Sequence, residues 1–169
     1  MPVEQVLIVG VVSAVAVWAY VRWRSPRPEY PPLETSPDDP LLIEAMAKAR
    51  GSLDRFWALA RAPHDHALVK LRFVSSSQQV EHLWAELVQV VSDDELEVRL
   101  VTPPVTHSGH LDRLWRCKRD DLEDWQVRDK DQKFHGGYSQ RAMFAIARRD
   151  GVKLPEGLLE QEAIYRDSD

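Results

Sequence analysis

Three polar side chains have the types that acid–base chemistry requires. Glu81 and His82 are adjacent, and Asp124 directly precedes Trp125. A carboxylate and an imidazole can act as acid and base, so Glu81, His82 and Asp124 are the catalytic candidates for a hydrolase or a metal-dependent enzyme. Neighbouring residues of a strand point to opposite faces, however. We therefore do not expect Glu81 and His82 to meet, and structural roles are favoured over catalysis.

Histidines could supply a second kind of chemistry, metal binding. His64-Asp65-His66 and His107-x-x-His110 each bring two imidazoles close together in the sequence. Neither spacing completes a recognised zinc signature, so we expect loop histidines, no bound metal and no cofactor. The one cysteine, Cys117, excludes an internal disulfide. It is expected to behave as a small buried hydrophobe.

Aromatic side chains are the candidates for ligand binding. Four of the six tryptophans lie after residue 40, and tryptophan is enriched at binding hot spots. We expect a groove that binds a protein, a peptide or a small ligand and is edged by His82, Trp84, Trp125 and Tyr138. Core packing remains the alternative explanation for each of these aromatic rings.

Helices are predicted before and after a group of strands in the sequence. Asp39-Pro40 reads as the cap and first position of one helix, whose apolar positions recur every three or four residues until Ala62-Pro63 ends it. Ser139 is predicted to cap a helix that runs to about Arg149, with Gly151 as its C-terminal cap. A short helical stretch follows near residues 158–164.

Alternation of apolar and polar residues predicts the strands between these helices. The predicted strands cover residues 69–73, 81–91, 96–100, 114–118 and 125–127. Consecutive strands with short turns favour an antiparallel sheet. The sequence therefore predicts an α+β fold, a small antiparallel sheet with helices packed on one face.

A transmembrane helix is predicted ahead of this fold. Residues 6–21 are almost entirely apolar and carry no charge, and Arg22 and Arg24 follow. About 18 helical residues rise ~27 Å, close to the thickness of the hydrocarbon core. Arginines on the C-terminal side place that side in the cytoplasm. A cleaved signal peptide is the alternative, but its basic N-terminal region is missing.

The chain is thus expected to have three parts. Residues 1–24 form a single-pass anchor in the cell inner membrane, residues 25–40 form a proline-rich stalk, and residues 41–169 form the α+β domain. Prolines keep the stalk extended; a spacer is favoured over a docking motif for a proline-binding module. The net charge of −5 leaves no basic surface for nucleic acid.

Several short motifs resemble those of a bacterial family, the domain of unknown function 2314. The resemblance covers about residues 40–146 and is carried most specifically by Glu81-His82-x-Trp84 together with Asp124-Trp125. The charged segment after Val91 departs from it, because the glycine expected before the third strand is absent. The remaining matching elements are Ala45, Ala49-Arg50, Leu53, Phe56, Val69-Lys70, Pro103, Gly109 and Gly136-Gly137-Tyr138. The resemblance implies a fold and no assigned activity.

These observations rank three functions. The first is a membrane-tethered binding or interaction module for an unknown protein or small ligand. The second is the hydrolase or metal-dependent enzyme that would use Glu81, His82 and Asp124. The third is a protective partner of the immunity type that neutralises a toxin, a role that some small acidic domains have.

Overall fold

The computed structural model describes residue 36 and residues 38–74, 78–101 and 113–166. The predicted anchor, residues 1–24, and most of the predicted stalk lie outside these ranges. Within them, no helix combines the length and the apolar character that a membrane span requires. The predicted α+β class is confirmed: in the described ranges, four α-helices accompany a six-stranded antiparallel sheet.

The first helix begins where its capping signal places it, but it ends earlier than predicted. Asp39 caps the first helix, because its Oδ1 accepts a hydrogen bond from Leu41 N at 3.0 Å. The single long helix predicted from here to Ala62 is wrong: it is interrupted at Ser52, whose hydroxyl bonds Ala49 O at 3.0 Å and competes with helical bonding. The helices are α1 (Pro40–Gly51), α2 (Leu53–Arg61), α3 (Tyr138–Arg149) and α4 (Glu156–Ala163).

Five of the six described strands correspond to predicted ones; β4 has the predicted ends, and the other four differ at one or both ends. The sixth, β6, is three residues long and was not predicted. The strands are β1 (His66–Val74), β2 (Val80–Val90), β3 (Glu95–Leu100), β4 (Leu114–Lys118), β5 (Leu122–Arg128) and β6 (Phe134–Gly136). Their order in the sheet is β4-β3-β2-β1-β5-β6, so β1 lies between β2 and β5.

The sheet is strongly curved, as the link between β4 and β5 shows. Four strand spacings separate β4 from β5, about 19 Å in a flat sheet. The connecting one-turn helix Arg119–Asp121 leaves only four Cα steps from Lys118 to Leu122, about 14 Å at most. Arg119 also bonds Asp54 of α2 at 2.7 Å. The sheet therefore curls around the helices that pack against it.

One face of the sheet and helices α1 and α2 form the core. Val69 of β1 lies directly opposite Ala85 of β2 and Trp125 of β5, so these three side chains share a face. They belong to one buried cluster with Ala49 and Phe56 of the helices. The other face carries charged pairs on β2, β3 and β4, such as Arg99–Glu86 at 2.9 Å.

Contacts near both ends position α3. Gly136 approaches Trp125 so closely that a Cβ at this position would lie 2.3 Å from the Trp125 carbonyl oxygen, and its φ of +75° also favours glycine. At the other end of α3, Arg149 bonds the Asp39 carboxylate at 2.8 Å and holds its pKa below the usual value. The predicted cap at Gly151 is confirmed by its φ of +70°.

Candidate functional site

An open cleft of about 380 Å³ lies where α1 and α3 meet strands β1, β2 and β5. Its apolar wall consists of Leu42 and Met46 from α1, Trp84 from β2 and Met143 from α3. Its polar residues are Lys70, His82, Glu123, Asp124, Ser139 and Gln140. Apolar and polar groups that converge in one concavity are typical of sites for small organic ligands.

A β-bulge in β5 brings two acidic residues to this cleft. Lys70 lies opposite Asp124, and the next residue of β1, Leu71, lies opposite Leu122. Glu123 is therefore the extra residue of the bulge. Such bulges re-aim side chains and are common beside functional sites. Without the bulge, alternation along β5 would turn Glu123 and Asp124 to opposite faces.

Glu123 holds the imidazole of His82. His82 Nδ1 lies 2.6 Å from Glu123 Oε2, and since the carboxylate accepts, Nδ1 carries the proton. The carboxylate is almost buried, whereas 48% of the His82 side chain is exposed. The pair fixes the ring at the rim of the cleft and leaves Nε2 as the outer nitrogen of the ring.

Asp124 anchors the start of α3. Its Oδ1 accepts hydrogen bonds from Trp125 N and Tyr138 N, at 2.8 and 3.2 Å. Its Oδ2 accepts from Ser139 N and Ser139 Oγ, at 2.7 and 2.6 Å. Burial raises the pKa of the Asp124 carboxyl, against the lowering effect of these bonds. Because four donors already occupy the carboxylate, Asp124 acts as a cap for α3, and the predicted cap at Ser139 is wrong.

Lys70 brings a cation to the floor of the cleft. Its Nζ lies 3.4 Å from Ser139 Oγ and 6.0 Å from the centroid of the Trp84 ring. Trp84 is the residue directly opposite Lys70 on β2. Among the described residues, no carboxylate lies within ion-pair distance of this ammonium group.

The structure brings together only some of the residues that the sequence singled out. His82, Trp84 and Asp124 line the cleft. Glu81 does not, because it neighbours His82 on the strand and points to the other face. Glu81, His82 and Asp124 thus form no single acid–base group, and the partner of His82 is Glu123.

The other two predicted binding residues lie in the core. Trp125 is 0% exposed, its indole N–H bonds Ala49 O at 3.2 Å, and its ring packs against Phe56 at 5.6 Å. Tyr138 is 8% exposed and lies 5.9 Å from the Trp125 ring. Sequence reasoning missed Lys70, Glu123 and the two cleft methionines. Lys70 lies directly opposite Trp84 on the neighbouring strand, but this pairing can be recognised only when the strand register is known.

Other candidate chemistry does not converge on a site. In the described ranges, no three His, Cys, Asp or Glu residues are grouped as metal ligands. His66 begins β1 and faces Glu86, while His107 and His110 lie outside the described residues. Cys117 lines a second, larger cleft of about 450 Å³ with Arg50 and Asp120. Burial raises the pKa of its thiol to about 12, so it is no nucleophile at neutral pH.

The comparisons with known proteins assign a family. The model of a family described as "uncharacterized protein conserved in bacteria (DUF2314)" matches residues 39–150, well over half of the chain. The chain belongs to this family. The search of curated proteins and the search of solved structures both give no match. The DUF2314 match spans α1 to α3 and the six described strands, and it contains every residue that lines the cleft of about 380 Å³.

Proposed function

We propose that the DUF2314 domain of this protein is a binding module whose cleft holds a small organic ligand. The observation that carries the proposal is the apolar wall of Leu42, Met46, Trp84 and Met143 beside the ammonium group of Lys70. A volume of about 380 Å³ falls within the range of ordinary ligand pockets, about 300–1,000 Å³. The cleft is open, so a ligand can enter without unfolding the domain.

The hydrogen bonds of Asp124 favour a structural role for this carboxylate over catalysis. Asp124 is occupied by four hydrogen bonds, and Ser139 donates its hydroxyl hydrogen to Asp124. Glu123 is engaged by His82. A general base requires a free lone pair within reach of the substrate proton, and Asp124 offers none without losing a present partner. The groups instead form a fixed polar frame around the apolar wall.

We propose further that residues 1–24 tether this module to the inner membrane with the domain in the cytoplasm. The support is the uncharged run of residues 6–21 and the arginines that follow it. Protease added to intact spheroplasts should leave the domain uncut and should digest it after lysis. Digestion before lysis would contradict the orientation, and recovery in the aqueous fraction would contradict the tether.

The methionines allow a direct test of binding. The chain has three, Met1, Met46 and Met143, and two of them line the cleft. Full-length protein labelled with ¹³C at the methionine methyl groups should give three NMR signals, assigned by Met46→Leu and Met143→Leu. We expect 4-phenylbutyrate, a soluble probe with an apolar ring and a carboxylate, to shift both cleft signals in a saturable manner and to leave Met1 unchanged.

Two tryptophan variants complete the test. Trp84→Ala removes part of the apolar wall and should weaken binding of the probe. Trp115→Ala is the matched control, because Trp115 lines the second cleft and not this one. The proposal fails if neither cleft methyl responds, or if both variants change the response equally.

A further inference from the structure

The Lys70 ammonium group identifies the chemical class of the ligand. We infer that the cleft selects an organic carboxylate: the carboxylate binds at Lys70 Nζ, and the apolar body lies along Met46, Trp84 and Met143. This inference rests on the proposed function, and it adds the sign of the ligand's charge and the direction in which the ligand lies.

Lys70 has unused capacity to bind an anion. An ammonium group donates three hydrogen bonds, and in the described part of the chain Lys70 Nζ meets one acceptor, Ser139 Oγ, at the long distance of 3.4 Å. The Trp84 ring supplies only a weak contact at 6.0 Å. A carboxylate would add charge-assisted hydrogen bonds, which are roughly twice as strong as neutral ones.

The acidic groups nearby accept hydrogen bonds from donors other than Lys70. Asp124 lies opposite Lys70 in the sheet, but all its hydrogen bonds come from α3 and from its own strand. Glu123 is directed to His82 at 2.6 Å. The amides of Tyr138 and Ser139 at the start of α3 are occupied by Asp124, so they are not the anion site. Among the residues that the structure describes, Lys70 is therefore the charged group of the cleft without a strong partner.

The position of the apolar wall sets the orientation of the ligand. Trp84 faces Lys70 across β1 and β2 and begins the apolar surface, and Met46 and Met143 continue it on α1 and α3. Methionine side chains adapt to ligands of different shape. A carboxylate on a chain or ring of a few carbons therefore fits better than a compact inorganic anion.

Two matched probes test the charge preference. On full-length, methionine-labelled protein, 4-phenylbutyrate is compared with 4-phenylbutanamide, which has the same body and no charge. We expect the carboxylate to bind about two- to fivefold more tightly, the range of one partly exposed ion pair. Lys70→Gln should abolish this preference and leave binding of the amide within about twofold of the parent protein.

Arg72→Gln is the control variant, since Arg72 lies on the same strand and face as Lys70, carries the same charge, and does not line this cleft. It should retain the preference for the carboxylate. The inference is overturned if the two probes bind equally, if Lys70→Gln keeps the preference, or if Arg72→Gln also removes it. If neither probe shifts the Met46 and Met143 signals, the proposed function itself fails.

Discussion

Trp84 and Trp125 are both candidates for binding in the sequence, yet they lie on opposite faces of the sheet. Trp84 is opposite Lys70 and Trp125 is opposite Val69. Since Val69 and Lys70 are consecutive on β1, their side chains point in opposite directions. The region around Trp125 is closed core, and the region around Trp84 is an open cleft.

The two regions differ in how completely their polar groups are satisfied. The Trp125 indole N–H has two acceptors, Ala49 O at 3.2 Å and Ser52 Oγ at 3.1 Å. In the cleft, the Lys70 ammonium has one distant acceptor among the described residues. Complete satisfaction stabilises a core, whereas an available donor in an open concavity is what a binding site requires.

The largest expected effect is the loss of the buried ring. Trp125→Ala should lower the free energy of unfolding by about 3–5 kcal/mol, because it leaves a cavity between α1, α2 and the sheet. Trp84→Ala should lower it by less than about 1.5 kcal/mol, since that ring is partly solvated. Urea unfolding followed by circular dichroism measures both values.

Equal losses for the two tryptophan variants would contradict the division into core and cleft. If Trp125→Ala does not fold at all, the result still agrees with a core position for Trp125. In that case Trp125→Phe gives a measurable free energy of unfolding. Phenylalanine keeps the contact with Phe56, but loses the bonds to Ala49 O and Ser52 Oγ. The free energy of unfolding of Trp125→Phe should therefore lie between the values for Trp125→Ala and the parent protein.

Most strands could be predicted because their signal, the alternation of apolar and polar residues, is local in the sequence. In β1 and β3, apolar and polar residues alternate in the sequence as they do in the structure. β6 has only three residues and contains a glycine, so no period could show it. The break at Ser52 is also invisible to periodicity, because α1 and α2 continue the same apolar spacing.

The cleft could be predicted only in part, because its geometry depends on distant contacts. The bulge at Glu123 and the pairing of Val69 with Trp125 are properties of strand register, which no single strand encodes. Asp124 caps a helix that begins 14 residues later, whereas capping rules consider neighbours in sequence. His82 and Trp84 could be singled out by residue type alone. Lys70 and Glu123 could be recognised only with the register of the strands, which the sequence does not give.

Substitutions of the two neighbouring acidic residues at the bulge, Glu123 and Asp124, should have effects of intermediate size on stability. Asp124→Asn should cost about 1–3 kcal/mol, because an amide NH₂ would face buried donors that now meet a carboxylate oxygen. Glu123→Gln should cost at most about 1 kcal/mol, since its partner His82 is half exposed. Urea unfolding gives the two values.

Hydrogen exchange shows where each change acts. In Asp124→Asn the amides of Tyr138 and Ser139 should exchange faster, because they lose their acceptor. In Glu123→Gln they should stay protected, which makes this variant the matched control. If the two variants are equally destabilised, or if the start of α3 stays protected in both, Asp124 does not anchor that helix.

The smallest expected effect concerns the environment of each ring. In protein labelled with 5-fluorotryptophan, the ¹⁹F signal lost in Trp84→Phe should shift between H₂O and D₂O, because that ring borders an open cleft. The signal lost in Trp125→Phe should not shift, since Trp125 is fully buried.

Trp84→Phe should change the free energy of unfolding by no more than about 0.5 kcal/mol, as surface substitutions do. Addition of 4-phenylbutyrate should move the Trp84 signal and leave that of Trp125 in place. If the Trp125 signal moves instead, the probe enters the core, and the cleft is not its site.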